Sequence, residues 1–275
     1  MEKAKNGNDV RQNKTIKILQ FTDCHLGASA NETLLGLRTE QSLCDVLEKI
    51  ATSENDIDLL VATGDISNDG SAESYDRFLS LVYRYLPKTK LAWLDGNHDD
   101  PAGMDAITLA RPIEKHLIID NWSIVFLSSR VAGEERGELP LSELDRLADL
   151  LQKYPLHPTI IFLHHQPVPI GCEWVDGYTV SNAKDFFKVL DQYPSVKVVA
   201  WGHVHQDFRK ARNDVVLLAT PSTCIQFKPN CANFTVDRLM PGYRLFELHG
   251  DGNWTTEVRR ISHRDYPINF VSSGY

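Results

Sequence analysis

The sequence predicts an α/β fold built of layered strands and helices. Three observations carry that reading: short β-rich runs alternate with longer helical patterns, late strand-like runs add further β content, and residues able to do chemistry follow the strand runs directly. Lys17–Phe21 reads as the first strand, and Thr39–Ile50 as a helix whose Leu43, Val46, Leu47 and Ile50 share one face. Asp58–Ala62 is a strand of the buried type, and Glu73–Leu86 a helix that closes before Pro87. Strands follow at Leu91–Leu94 and Trp122–Leu127, then a helix at Ser142–Leu151 and a strand at Thr159–Leu163. Asn182–Leu190 is helical, Val196–Trp201 a strand, and Val215–Ala219, Tyr243–Leu248 and Trp254–Val258 are shorter strand-like runs. No internal repeat, low-complexity segment or linker divides the chain, which predicts one domain. The stretch after Arg260 has no periodicity and reads as a tail.

Composition narrows the function classes. The 275 residues carry 29 Lys and Arg against 37 Asp and Glu, a net charge of −8. Polyanion binding needs clustered basic side chains, so nucleic acid and anionic membrane surfaces are not expected as partners, while a small phosphorylated ligand is permitted. The polar first fifteen residues lack the apolar core of a secretion signal, and no apolar run approaches the ~20 residues of a membrane-spanning helix. Five cysteines (Cys24, Cys44, Cys172, Cys224, Cys231), odd in number and without a C-x-x-C, argue against a disulfide framework or a thiolate zinc site. A reduced, cytoplasmic setting is the expectation, and the oligomeric state leaves no legible trace.

The informative residues stand at the strand ends. Asp23-Cys24-His25 follows the first strand, Gly64-Asp65 the second and Gly96-Asn97-His98-Asp99 the third. His164 and His165 follow the strand ending at Leu163, and Gly202-His203-Val204-His205 the one ending at Trp201. The crevice outside the carboxyl ends of strands is where α/β sheets bind ligands. Asp-x-His and His-x-His turn alternate residues to one side of an extended segment, so both can face one ion. Oxygen and imidazole donors together suit Zn, Fe or Mn better than Ca, which takes oxygen alone. Each motif by itself is commonly a surface turn, but their ordered placement at strand ends predicts a metal site.

These motifs (DCH, GD, GNHD, HH and GHVH, in this order) resemble the calcineurin-like metallophosphoesterase family. Ile18–Leu26, Val61–Asp65 and Ala219–Pro229 resemble its bacterial class III cyclic-AMP phosphodiesterase branch, and the likeness covers roughly residues 16 to 261. The resemblance implies a four-layer α/β/β/α sandwich over residues 16–261, between tails at 1–15 and 262–275. It implies two divalent ions, Fe or Mn first and Zn or Co as alternatives. One would take Asp23, His25 and His205, the other Asn97, His164 and His203, with Asp65 bridging. His164 is preferred to His165 because the family ligand stands three residues before a proline, here Pro167.

The implied activity is hydrolysis of 3′,5′-cyclic AMP to 5′-AMP by a bridging hydroxide, which would lower cellular cyclic AMP. His98 would be the general acid for O3′, and His25, Asp65, Asn97, His98 and His205 would contact the substrate. Two ions bring about +4, and two aspartates and a hydroxide leave about +1, enough to attract a phosphodiester to an acidic chain. Many relatives orient the acid with an Asp where this chain has Asn68, and Asp69 is the possible substitute. Cys224, Gln226, Phe227 and Trp174 are either pocket wall or ordinary packing, and Arg209, Lys210 and Arg212 either a solvated turn or a phosphate clamp. The competing expectations are another cyclic nucleotide, phosphodiester or phosphomonoester as substrate, and a non-catalytic scaffold.

Overall fold

The computed structural model describes residues 15–107 and 114–274. Its elements in chain order begin with β1 (Ile16–Phe21), the hairpin strands β2 (Thr33–Leu34) and β3 (Leu37–Arg38), α1 (Thr39–Ser53), β4 (Leu59–Thr63), α2 (Ala72–Tyr85), β5 (Leu91–Leu94) and α3 (Pro101–Ile107). They continue with β6 (His116–Ile119), β7 (Trp122–Phe126), α4 (Leu141–Lys153), β8 (Thr159–Phe162), α5 (Glu173–Asp176), α6 (Ala183–Leu190) and β9 (Val196–Trp201). The last strands are β10 (Phe208–Arg212), β11 (Val215–Ala219), β12 (Gly242–Leu248) and β13 (Trp254–Arg260).

Two sheets carry the fold. One runs β13-β12-β1-β4-β5 and the other β10-β11-β9-β8-β7-β6. β1, β4 and β5 are parallel neighbours, as are β7, β8, β9 and β11, and antiparallel strands close the edges. A parallel sheet buried on both faces explains why β4 and β8 read as unbroken apolar runs rather than alternating ones. Ile18, Leu59 and Phe246 of the first sheet meet Ile124, Phe162 and Val198 of the second in an inter-sheet core. On the first sheet's outer face, Leu43, Leu47 and Phe78 of α1 and α2 cover Phe21, Leu60 and Trp93. Leu147 and Phe186 of α4 and α6 cover Ile161, Val199 and Leu217 on the second. The result is the α/β/β/α sandwich. Truncating one of these buried leucines to alanine would cost about 2–5 kcal/mol.

The parallel registers bring strand ends together: Phe21 pairs with Ala62, and Thr63 with Leu94. The segments leaving β1, β4 and β5 therefore emerge side by side, facing those leaving β8 and β9. Six elements were not foreseen: the hairpin strands β2 and β3, α3, β6, α5 and β10. β10 holds Arg209, Lys210 and Arg212, so that cluster is an edge strand and not a turn. Arg212 pairs with Asp191 (Nη2 to Oδ2, 2.9 Å) and lies 4.1 Å over the Phe187 ring. Among the described residues no helix is long and apolar enough to cross a membrane.

Residues 262–274 have no helix or strand, in keeping with their lack of periodicity, yet they are tied to the body. The Tyr266 hydroxyl donates to Asp45 (2.5 Å), the Asn269 amide donates to the Leu35 carbonyl (2.8 Å), and Ile268 and Phe270 pack on Leu34, Leu37 and Phe227.

Candidate metal centre

The loop after β1 is laced to the loop after β4. The Asp23 amide donates to the Gly64 carbonyl (3.0 Å) and the His25 amide to the Asp65 carbonyl (2.9 Å). Asp23, His25, Asp65, His203 and His205 all have left-handed backbones, with φ between 46° and 63°. Such a backbone costs a non-glycine residue roughly 1–3 kcal/mol and persists only where its surroundings enforce it, typically at functional sites. Gly96 shows how tight the junction is: a Cβ there would collide with the Asp65 carboxylate and amide.

All seven donor residues expected from the sequence converge. In one half, His205 Nε2 lies 3.4 Å from Asp23 Oδ1 and 3.3 Å from His25 Nε2. In the other, His164 Nε2 lies 3.2 Å from Asn97 Oδ1, and its ring centroid is 5.1 Å from that of His203. Asp65 stands between them, with Oδ2 3.7 Å from His25 Nε2 and 3.3 Å from His164 Nε2. The second oxygen of Asp65 accepts the His98 amide (3.0 Å).

Hydrogen bonds behind the donors aim them. Nδ1 of His205 donates to the Ile225 carbonyl (2.7 Å), Nδ1 of His164 to the Thr63 carbonyl (2.8 Å) and Nδ1 of His25 to Asn68 Oδ1 (3.1 Å). A carbonyl oxygen only accepts, so the proton sits on Nδ1 and the Nε2 lone pair points into the site. His25 and His205 thus turn two lone pairs toward one another, an arrangement relieved by a cation between them. His203 Nε2 is buried without a hydrogen-bond partner among the described residues. The donor set fits divalent metal ions.

His165, the alternative to His164, is buried beside the donors, with a ring nitrogen within 4.8 Å of those of His164 and His203 and its Nε2 without a hydrogen-bond partner among the described residues. Its Nδ1 pairs with Ser129 Oγ (2.8 Å) and its ring packs 4.7 Å from that of His203. His164, and not His165, has the short approaches to Asp65 and Asn97.

Burial and charge set the protonation states. Burial drives the His25 imidazole down to about 3, despite the Asp65 carboxylate pulling the other way, so it is neutral and ready to ligate. Burial also disfavours charged His164, but the charge and hydrogen bond of Asp65 outweigh it and hold His164 at about 10 in the metal-free chain. Burial raises Asp65, and the surrounding imidazoles, His164 foremost, more than reverse it, leaving the carboxyl well below its ordinary range.

His98 sits at the edge, its ring 4.9 Å from that of His25 and its Nδ1 3.2 Å from the Asn68 carbonyl. Asp69 is engaged elsewhere, accepting from the Ser67 hydroxyl (3.0 Å) and the Ser71 amide (3.0 Å). Asn97, His98 and His203 also line a cavity of about 530 Å³ whose walls include Trp174, Phe227 and Phe234. Phe227 lies flat against His205 (4.2 Å, 5°), so it is both packing and wall. Cys224 and Gln226 are buried beneath it, Gln226 donating to the Ser222 carbonyl (2.8 Å). Sequence reasoning did not find Thr63, Ser129, Ile225 or Phe234, because backbone acceptors, a lone serine hydroxyl and a lone aromatic leave no spacing signature.

The architecture and donor set are those of a metal-dependent phosphoesterase. Residues 16–207 match the model of the calcineurin-like phosphoesterases, and the chain belongs to that family, whose members use divalent metal ions. It is 41% identical over 263 residues to the 3′,5′-cyclic adenosine monophosphate phosphodiesterase CpdA of Escherichia coli (strain K12), covering 94% of this chain and 95% of that one. The CpdA of Pseudomonas aeruginosa is 36% identical, over 99% of this chain and all of its own (100%). Among solved structures, a dimetal phosphatase from Danio rerio superposes with a TM-score of 0.60 at 15% identity, over 90% of this chain and 99% of its own.

Proposed function

We propose that this protein is a metal-dependent phosphodiesterase that hydrolyses 3′,5′-cyclic AMP to 5′-AMP and so lowers cellular cyclic AMP. The observation that carries the reading is the coincidence of nearly full-length identity to CpdA with a complete donor set and His98 in one cleft. Asp23, His25 and His205 would hold one ion and Asn97, His164 and His203 the other, with Asp65 shared; Fe or Mn is favoured, and Zn or Co is compatible with the donors. Bound there, two divalent ions would supply positive charge against the phosphate and lower the pKa of water in the site.

The chain's own groups do the rest. Hydrolysis adds water across the P–O3′ bond: the water oxygen ends on phosphorus, and O3′ leaves with a proton. His98 is placed to hold that proton at Nε2, because its Nδ1 already faces the Asn68 carbonyl. A backbone oxygen, in place of the carboxylate that many relatives use, orients the ring. His25, Asp65, Asn97, His98 and His205 are the residues the phosphate would meet, and the cavity beyond Asn97 and His98 has room for the rest of a nucleotide. The five free thiols support a cytoplasmic setting.

The second reading is the same site acting on another cyclic nucleotide, phosphodiester or phosphomonoester, since metal-phosphate chemistry tolerates many leaving groups. Turnover of cyclic AMP, cyclic GMP, 2′,3′-cyclic AMP and an aryl phosphate, with metal analysis of the same sample, decides between them. The expected result is cyclic AMP first; cyclic AMP among the slowest would overturn the specific reading.

A further inference from the structure

We infer that the aromatic wall adjoining the metal centre is the subsite for the nucleotide base, with Trp174 and Phe234 its specificity-determining residues. The inference rests on the phosphodiesterase reading above and adds where the base goes. Three rings meet there, Trp174 from α5 and Phe227 and Phe234 from the segment between β11 and β12. Trp174 on α5 lies 5.0 Å from Phe227 at 76° and 5.0 Å from Phe234 at 71°, and Phe227 lies 5.2 Å from Phe234 at 65°. The three rings meet one another edge to face, and Phe227 alone spends a face in a stacked pair, on His205.

The cavity is continuous from chemistry to wall. Asn97, His98 and His203 line the same 530 Å³ space as Trp174 and Phe234. A ligand with its phosphate at the donors therefore extends its remaining bulk toward the rings. An aromatic, planar extension gains stacking there; an aliphatic one gains only burial.

Trp174 also carries a cost that packing alone does not explain. Its indole nitrogen is buried with no hydrogen-bond partner among the described residues, and leaving a donor unsatisfied is unfavourable. A leucine or phenylalanine would fill the space without that cost, so a large π-face toward the cavity accounts for the tryptophan. The wall is tied to the centre through Phe227, whose ring lies flat against His205. Because Phe227 contacts a metal-ligand candidate, Trp174 and Phe234 are the residues that separate base binding from metal binding.

The test compares the metal-loaded wild type with Trp174→Leu, Phe234→Ala and the ring-preserving Trp174→Phe. Substrates are cyclic AMP and the methyl riboside 3′,5′-cyclic phosphate, which keeps sugar and phosphate and lacks a base. Trp174→Leu and Phe234→Ala should each raise KM for cyclic AMP about tenfold, with kcat within about twofold, and leave KM for the base-free substrate unchanged. Trp174→Phe should restore most of the KM, and calorimetric binding of 5′-AMP should weaken in parallel. A shift shared equally by both substrates, or no shift with cyclic AMP, would overturn the subsite while leaving the phosphodiesterase reading intact. If the wild type turns over neither cyclic phosphate, the phosphodiesterase reading falls and the base subsite with it.

Discussion

Oδ2 of Asp65 lies 3.3 Å from Nε2 of His164, a neighbour from the opposite sheet. The pairing joins the loop after β4 to the loop after β8, and the same oxygen reaches 3.7 Å from His25 in the other half of the site. One buried carboxylate therefore neutralises two sets of donors, and its other oxygen fixes the His98 backbone through an amide hydrogen bond. Charge, strand-end geometry and the placement of the proposed acid all pass through this side chain.

Asp65→Asn should consequently depress metal content in both halves of the site at once. The amide keeps the shape and one acceptor oxygen but removes the negative charge that two cations would share. The expected loss is at least tenfold in affinity for each ion, read by elemental analysis after dialysis, with activity falling further. Full occupancy at one half and loss at the other would contradict a bridging role.

His98→Ala should do the opposite. Its side chain is not among the donors proposed for either ion, so metal content should stay near that of the wild type. Turnover of cyclic AMP should fall about 10²–10⁴-fold, the usual contribution of a general acid. The loss should shrink for substrates with a good leaving group, such as an aryl ester, which needs no proton. Equal losses for both leaving groups would point to phosphate binding, and loss of metal to a structural role.

The orienting contacts behind the donors give a third prediction. Asn68 Oδ1 accepts from His25 Nδ1 at 3.1 Å, and its carbonyl meets His98 Nδ1 at 3.2 Å. Asn68→Leu removes only the first contact, and should weaken metal binding about 10–100-fold, the usual effect of losing such a partner. Asn68→Asp should restore or tighten it, since a carboxylate makes the ring more basic. The measurement is metal affinity by calorimetry; an unchanged affinity in Asn68→Leu would show that packing alone aims His25.

Much of this centre was legible in the sequence, for a physical reason. Its donors sit where apolar runs stop, and in parallel sheets those stops are brought to one edge by strand register. Asp23, Asp65 and His205 are thus readable from their distance to Phe21, Thr63 and Trp201. The aromatic wall was only partly readable: Trp174 and Phe227 stood as either wall or packing, and Phe234 gave no signal, because Trp174 and the Phe227–Phe234 segment are joined by no shared period. β10 escaped for a related reason. An edge strand of sequence FRKAR has no buried face to impose alternation, so only its charge shows. The segment after Ile261 shows no periodicity either, yet Tyr266 and Phe270 anchor it, because single aromatics can dock irregular chain.

Proton competition supplies the final prediction. In the metal-free chain His164 is held at about 10, with burial opposing and Asp65 prevailing, whereas His25, driven down by burial, stands at about 3. Between pH 6 and 8 a cation entering beside Asp65 must therefore displace one proton, from His164, and none from His25. Apparent affinity for Mn²⁺ should rise about tenfold per pH unit across that window, and calorimetry in buffers of different ionisation enthalpy should count one proton released. Stability of the metal-free chain should move the other way. A histidine whose folded pKa is raised stabilises the fold fully below its unfolded value of 6.5, and that contribution is lost as pH rises through about 10. Replacing His164 with Asn should abolish both slopes. A slope that survives in the variant, or a release of two protons in the wild type, would assign the competing proton to a different imidazole of the cluster.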